Sequence, residues 1–138
     1  MVDLSSLGAD FDKESPASIS EIDMCEIQLG RRLPPAYREF LLEANGGEGP
    51  IGKAGYLALW PIHMLQEKLK AYQFERDVSQ FLPIGSDGGN EALVIDYRAE
   101  PNWLGYVPFG DLQYESFVPI STNFWDALRI IGEGRAFD

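Results

Sequence analysis

The sequence has one cysteine, one histidine and no long apolar run. Cys25 has no second cysteine to pair with, so no internal disulfide forms and nothing indicates an oxidising compartment. Cys25 and His63 cannot supply the ligands of a zinc site, so we expect neither a metal nor a cofactor. The longest apolar run, Tyr56 to Trp60, is too short to cross a bilayer, and the N-terminus lacks the features of a signal peptide. These absences predict a cytoplasmic protein that binds no membrane.

Basic residues are also scarce, with 11 Lys and Arg against 22 Asp and Glu, which gives a net charge of −11. Such a surface repels phosphate backbones, which argues against a nucleic-acid partner. It favours a basic protein partner, although acidity that serves solubility alone stays an open alternative. Between Asp87 and Glu115 the only basic residue is Arg98. The acidic residues of this segment are Asp87, Glu91, Asp96, Glu100, Asp111 and Glu115. Their concentration predicts an acidic binding face.

The first half of the chain carries clear helix signals. Ser18 and Glu21 form a capping box, and Gly30 is typical of a helix end. Apolar residues then step by three and four, which places Cys25 on a buried face. Pro34-Pro35 begins a second helix, and Asn45-Gly46-Gly47 ends it. Residues 1–17, with apolar Leu4, Leu7 and Phe11, are expected to form a short helix or an ordered arm.

The second half is predicted to contain most of the sheet. A helix opens at Pro61, with Tyr72 on the same face as Leu65 and Leu69, and a last helix follows Asn123. The expected strands are 56–60, 81–84, 92–95, 105–109 and 116–120. The order of these elements predicts a single α+β domain over residues 1–138, with its core in 18–132. Its sheet is expected to be mixed and mostly antiparallel, with helices packed on it.

One segment imitates a nucleotide-binding motif, and one histidine is a candidate for catalysis. Gly47 to Lys53 has the glycine and lysine spacing of a phosphate loop, but Ala54 replaces its magnesium-binding hydroxyl, and a helix precedes the loop where a strand should. His63 has no Ser or Cys motif to act with. Paired carboxylates for hydrolysis stay open, because sequence does not give their separation. We therefore expect a protein that is not an enzyme.

The turn from Gly85 to Asn90 contains Gly85, Gly88 and Gly89. Such a turn needs positive φ angles or close backbone approach, and a hairpin turn is favoured over a binding loop. Trp103 and Tyr114 lie in polar stretches and are candidate interface anchors, although each could also pack on the core. The predicted partner-binding residues are Asp87, Asn90, Glu91, Asp96, Glu100, Trp103, Asp111, Tyr114 and Glu115.

These residues also carry a family resemblance. The signature runs through Glu26-x-x-Leu29-Gly30-x-x-Leu33-Pro34-x-x-Tyr37-x-x-Phe40-Leu41, Asn45-Gly46-Gly47, Leu59-Trp60-Pro61-Ile62, Phe81-Leu-Pro-Ile-Gly85-x-Asp87-Gly88-Gly89-Asn90-Glu91, Val94-Ile95-Asp96, Tyr106-Val-Pro-Phe-Gly110-Asp111 and Phe124-Trp125. Over residues 18–132 the chain resembles the SUKH superfamily, whose members share the Smi/Knr-type domain.

The resemblance implies an α+β fold with helices on one side of the sheet. It also implies a bacterial immunity protein that binds and neutralises a toxin, often a nuclease or deaminase. A regulatory or scaffold module that binds an endogenous protein is the alternative, as in fungal relatives. The resemblance gives no fixed active site to transfer. Its motif positions can serve either the fold or partner binding. The motif positions present here are Asn45, Gly46, Gly47, Asp87, Gly88, Gly89, Asn90, Glu91 and Asp96.

Overall fold

The computed structural model describes residues 7–137, in which seven strands and five α-helices follow one another along the chain. The strands are β1 Asp12–Lys13, β2 Gly47–Ile51, β3 Gly55–Leu59, β4 Phe81–Ser86, β5 Glu91–Asp96, β6 Trp103–Pro108 and β7 Val118–Ser121. The helices are α1 Ile19–Leu29, α2 Pro35–Glu43, α3 Leu65–Ala71, α4 Phe74–Asp77 and α5 Phe124–Gly132, with short 3-10 helices at Ile62–Met64 and Tyr114–Ser116. Among residues 7–137, none of the helices is long and apolar enough to span a bilayer.

The predicted ends of α1 and the predicted start of α5 are confirmed, because local side chains satisfy them. The helix expected from Pro61 begins instead as a 3-10 helix, and α4 was not predicted. Ser18 accepts a hydrogen bond from the Glu21 amide, while the Glu21 carboxylate accepts one from the Ser18 amide. Gly30 ends α1 with a φ of 68°, in the left-handed region that favours glycine. At α5, the Asn123 side chain accepts from the Asp126 amide.

The sheet confirms the predicted α+β class. Its strands lie side by side in sequence order, from β1 to β7, and each described pairing is antiparallel. β5 lies inside the sheet and buries five of its six residues, as its β-branched and apolar run predicts. β7 lies at the edge of the sheet. An edge strand tolerates a proline such as Pro119, because its outer side has no strand to bond with.

One segment that was expected as a loop is a strand in the structure. Residues 47–51 were expected in a loop but form β2, which pairs on both sides with β1 and β3. The expected ordered arm is present among the described residues: Leu7 and Phe11 are buried, and Asp12–Lys13 pairs with β2. Residues 1–6, which include Leu4, lie outside the described residues.

The two faces of the sheet are covered differently. Helix α5 crosses the face that carries Leu57 and Leu59, where the backbone of Ile131 contacts Gly55. The α2 rings pack on α5, with the Phe40 and Phe124 centroids 5.2 Å apart. On the opposite face, the connection 109–117 covers β4–β6 and places the Phe117 ring against Gly105. This leaves the part of that face formed by β2 and β3 open to solvent.

Candidate functional site

The open part of the sheet face presents side chains that alternate with the buried residues of β2 and β3. Glu48 and Pro50 are exposed on β2, while Tyr56 is 41% exposed on β3. The Tyr56 hydroxyl donates a hydrogen bond of 2.7 Å to Oε2 of Glu48, which raises the pKa of the phenol. A carboxylate and an aromatic ring are therefore held together on the surface.

A row of aromatic rings continues this surface beyond β3. The Trp60 and Tyr72 rings are stacked with centroids 6.1 Å apart, and the Tyr72 ring lies 4.6 Å from that of Phe109. The Lys68 ammonium lies 5.1 Å from the Trp60 ring and 5.7 Å from that of Tyr72. Tyr72 is 40% exposed, so its predicted place on the buried face of the helix is wrong: it follows the last turn of α3.

The hairpin tip between β4 and β5 borders the aromatic row. Gly88 has a φ of 83°, and a Cβ at this position would lie 2.7 Å from the Tyr56 ring. Gly85 approaches β3 so closely that its Cβ would lie 2.2 Å from the Ala58 carbonyl oxygen. The predicted positive φ and close backbone approach are thus both present. On the other side of the tip, the Phe109 amide donates to the carbonyl of Asn90.

The carboxylates of the tip lie close to each other. Oδ1 of Asp87 accepts from the amides of Gly89 at 2.8 Å and Glu91 at 3.2 Å, which stabilises the turn. Partial burial, together with the Asp87 charge, raises the pKa of Glu91. We call the whole area the aromatic–acidic surface. It consists of Glu48, Tyr56, Trp60, Tyr72, Asn90 and Phe109. Asp87 and Glu91 lie at its rim, where the Glu91 side chain shares the side of the sheet that carries Tyr106.

Asp96 and Tyr114 lie in a structural cluster at the opposite end of β5. Asp96 is 6% exposed and binds Arg98 through both carboxylate oxygens, at 2.9–3.2 Å. The Arg98 guanidinium lies 4.6 Å from the Tyr114 ring and 5.2 Å from that of Phe81. The Tyr114 hydroxyl accepts from the Gln80 amide. This cluster holds the connection 109–117 on the sheet, and we leave Asp96 and Tyr114 out of the proposed binding surface.

Three of the remaining predicted residues, Glu100, Trp103 and Glu115, do not join the acids of the hairpin tip. Glu91 and Asp96 begin and end β5, so about 17 Å separates them at the rise of an antiparallel strand. Glu100, Trp103 and Glu115 are exposed toward the Asp96 end. Asp111 accepts hydrogen bonds from Gln113 and Ser116 within its own loop. The segment from Asp87 to Glu115 therefore forms two separate areas instead of one face.

Several signature residues have structural roles at the ends of helices. The Glu26 carboxylate accepts from the Leu33 amide at 2.7 Å and binds Arg38 at 2.8 Å, which fixes the turn between α1 and α2. This explains why a charged residue interrupts the apolar stripe of α1. The Asn45 side chain accepts from the Ile62 amide, while Gly46 and Gly47 lead into β2 with φ angles of 92° and 154°.

The residues considered for catalysis are placed as follows. Cys25 is buried as predicted, and burial raises the pKa of its thiol to about 11, so the nucleophilic thiolate is disfavoured. His63 is exposed on a 3-10 helix. The segment that imitates a phosphate loop is a β-hairpin, in which the Lys53 and Ala54 amides donate to the Gly132 carbonyl. Within residues 7–137, no group of three or more Asp, Glu, His or Cys side chains is arranged to hold a metal ion.

Sequence reasoning missed Glu48, Tyr56, Trp60, Tyr72 and Phe109 as surface residues. The sequence signal for Glu48 and Tyr56 was the alternation of exposed and buried residues along a strand. Glu48 and Pro50 alternate with buried residues on β2, as Tyr56 does with Leu57 on β3. Three glycines and a proline between 46 and 50 concealed this period, because these residues rarely occur in strands. Nothing in the sequence brings Tyr72 and Phe109 together.

The sheet and its helices define an α+β domain whose seven strands form one antiparallel sheet in sequence order. Its signature residues fix the α1–α2 turn and the β4–β5 hairpin. The sequence model of the SMI1 / KNR4 family (SUKH-1) matches residues 16–129, and the chain belongs to this family. A comparison with curated proteins finds no match.

Proposed function

We propose that this protein is a non-catalytic, cytoplasmic immunity protein that binds and neutralises a basic toxin through the aromatic–acidic surface. The observation that carries the proposal is the set of half-exposed rings on an open sheet face, bordered by carboxylates. Aromatic residues are enriched among the residues that dominate binding energy at interfaces, because they bury a large area with few rotatable bonds.

The charge of the surface supports a basic partner. Repulsion between Asp87 and Glu91 is reflected in the raised pKa of Glu91, and an incoming Lys or Arg would relieve it. With a net charge of −11, long-range attraction would also accelerate association with a basic toxin domain of the nuclease or deaminase type.

The placement of Cys25 and His63 supports a role without catalysis. The thiol is buried with a raised pKa, and the imidazole is exposed on a different element. Family membership supports the immunity role, although members also include regulatory domains that bind endogenous proteins.

Growth rescue tests the proposal directly. The protein is co-expressed with the C-terminal domain of the protein encoded immediately upstream, and growth is compared with expression of that domain alone. We expect rescue by the native chain. The double variant Glu48→Gln/Tyr56→Ala should weaken the complex at least about tenfold in titration calorimetry, or about 1.4 kcal/mol, because it removes an anchor ring and its carboxylate.

The matched control is Glu100→Gln/Glu115→Gln, which removes two exposed carboxylates at the opposite end of the sheet. It should retain rescue and bind within about threefold of the native chain, since isolated charges at a distance contribute little. Equal loss of affinity in both variants would contradict the aromatic–acidic surface. A complex that forms without rescue, or the absence of a complex, would contradict toxin neutralisation and favour an endogenous partner.

A further inference from the structure

A second surface lies between α1, α2 and the connection from β5 to β6. It is an open groove of about 1200 Å³, bordered by Ile27 on α1, Leu42 on α2, and Tyr97, Glu100 and Asn102 on the connection. Tyr97 joins the groove to α1, because its hydroxyl donates to the Arg32 carbonyl and its ring lies 4.8 Å from the Arg31 guanidinium. Ion pairs from Arg38 to Asp23 and Glu26 hold the two helices together. The groove is thus formed by contacts within the fold.

The groove exposes apolar side chains that the fold itself does not use. Ile27 is 74% exposed, more than any other large apolar side chain among the described residues, and Leu42 is also exposed. Both belong to helices whose opposite faces are already buried by Ile22, Cys25 and Phe40. Exposed apolar residues that are grouped in a groove indicate an interaction surface more than isolated ones do.

The charges of the groove differ from those of the remaining chain. Its arginines are Arg31, Arg32 and Arg38, and its carboxylates are Asp23, Glu26, Glu39 and Glu100. Three positive and four negative groups leave it nearly neutral, although the chain as a whole carries −11. A basic partner would gain little here. Two copies of this surface can meet with opposite charges facing each other, whereas strongly acidic surfaces repel their own copies.

We propose that this groove is the interface of a symmetric homodimer, with Ile27 and Leu42 at its centre and the charged residues around them. A twofold axis brings the same surface from each copy together. Arg31 and Arg32 can then face Glu39 and Glu100 of the other copy, while Arg38 stays paired with Asp23 and Glu26 of its own chain. The arginines and carboxylates set the orientation, because exposed ion pairs add little affinity, and burial of the apolar side chains stabilises the dimer.

The size of the surface determines how strong this dimer is. An 11-residue helix such as α1 is about 16 Å long, and two adjacent helices are about 20 Å wide. This area is small beside the roughly 800 Å² that each partner contributes to a stable complex. The dimer is therefore expected to be weak and reversible.

Sedimentation equilibrium of the full chain over a wide concentration range tests the dimer. We expect reversible monomer–dimer behaviour that strengthens as salt is raised, because salt screens the repulsion between two chains of charge −11. Ile27→Asp should weaken dimerisation at least about tenfold, since it places a charge in the apolar centre. Because Ile27 is mostly exposed, thermal unfolding of this variant should match that of the native chain.

The control is Phe137→Asp, which removes another exposed apolar side chain and adds the same charge outside the groove. It should dimerise like the native chain. In parallel, backbone amide shifts measured by NMR during dilution should change at the end of α1 and along α2. A chain that stays monomeric at its highest soluble concentration and high salt would overturn the proposal. So would concentration-dependent shifts confined to other surfaces, or equal weakening by both variants.

Discussion

At the scale of single residues, neighbouring groups decide what a carboxylate does. Asp96 is buried, but Arg98 binds both of its oxygens, so its charge is compensated inside the structural cluster. Glu91 lies at the other end of the same strand, beside Asp87. Partial burial and a like charge there disfavour its ionised form. Two acids in one strand therefore differ in their availability to a partner.

Glu91→Gln is expected to stabilise the protein at neutral pH. Because the folded-state pKa of Glu91 is raised above 4.5, its contribution to stability is fully present below pH 4.5 and is lost as the pH rises through the folded pKa. Glutamine does not ionise, so the variant does not lose this stability as the pH rises. Since Glu91 is only partly buried, screening limits the gain to a few tenths of a kcal/mol, or about 1–2 °C in Tm.

Differential scanning calorimetry from pH 7 to pH 4 measures this effect. The difference in Tm between variant and native chain should shrink as the pH falls, since the native Glu91 becomes protonated. Glu115→Gln, an exposed control, should show a smaller difference at each pH. A lower Tm of Glu91→Gln at pH 7 would show that the ionised carboxylate stabilises the hairpin.

At the scale of elements, the turn between α1 and α2 depends on one side chain. Glu26 satisfies the Leu33 amide and binds Arg38, so it connects the end of one helix to the start and middle of the next. The Tyr37 and Phe40 rings of α2 pack on Phe124 of α5. The position of α2 relative to the sheet therefore depends on a short turn with one partly buried carboxylate.

Glu26→Ala is expected to destabilise the fold by about 1–3 kcal/mol, because it leaves a partly buried amide unsatisfied and removes a charged partner of Arg38. Urea unfolding should show a lower midpoint with an unchanged m-value. Glu39→Ala changes an exposed carboxylate of α2 and should stay within about 0.5 kcal/mol of the native chain. Equal stabilities of Glu26→Ala and Glu39→Ala would contradict this role.

Local sequence signals predicted the starts of two helices but missed one strand. Capping residues Ser18 and Asn123 predicted helix starts correctly, because each cap depends on residues three positions away. Strand β2 was missed, because Gly47, Gly49 and Pro50 are poor strand formers. It exists because β1 and β3 pair with it on both sides, and glycine permits the close approach of Asp10 and Asp12.

At the scale of the whole molecule, the net charge acts on the two proposed interfaces in opposite directions. The aromatic–acidic surface uses attraction between an acidic chain and a basic toxin. The groove brings two chains of charge −11 together, which costs electrostatic free energy. The two interfaces lie on different elements, so they are expected to respond independently to solution conditions.

Raising the salt concentration should therefore weaken the complex with the upstream-encoded toxin domain and strengthen the homodimer. Titration calorimetry measures the first and sedimentation equilibrium the second, in the same buffers. Between low and physiological salt, the association rate with a basic partner should fall several-fold, since screening acts mainly on steering. A toxin complex that is indifferent to salt would contradict electrostatic recognition without affecting the homodimer.

The sequence by itself determined the ends of α1, the start of α5, the α+β class, the buried central strand and the family signature, because each depends on local hydrogen bonds or on short-range periodicity. It also determined the net charge, but not where the charges act. Only the tertiary structure separated the acids of Asp87–Glu115 into two areas, because an extended strand carries its ends apart. It likewise brought Tyr56, Trp60, Tyr72 and Phe109 together, since contacts between distant elements leave no periodic trace in the sequence.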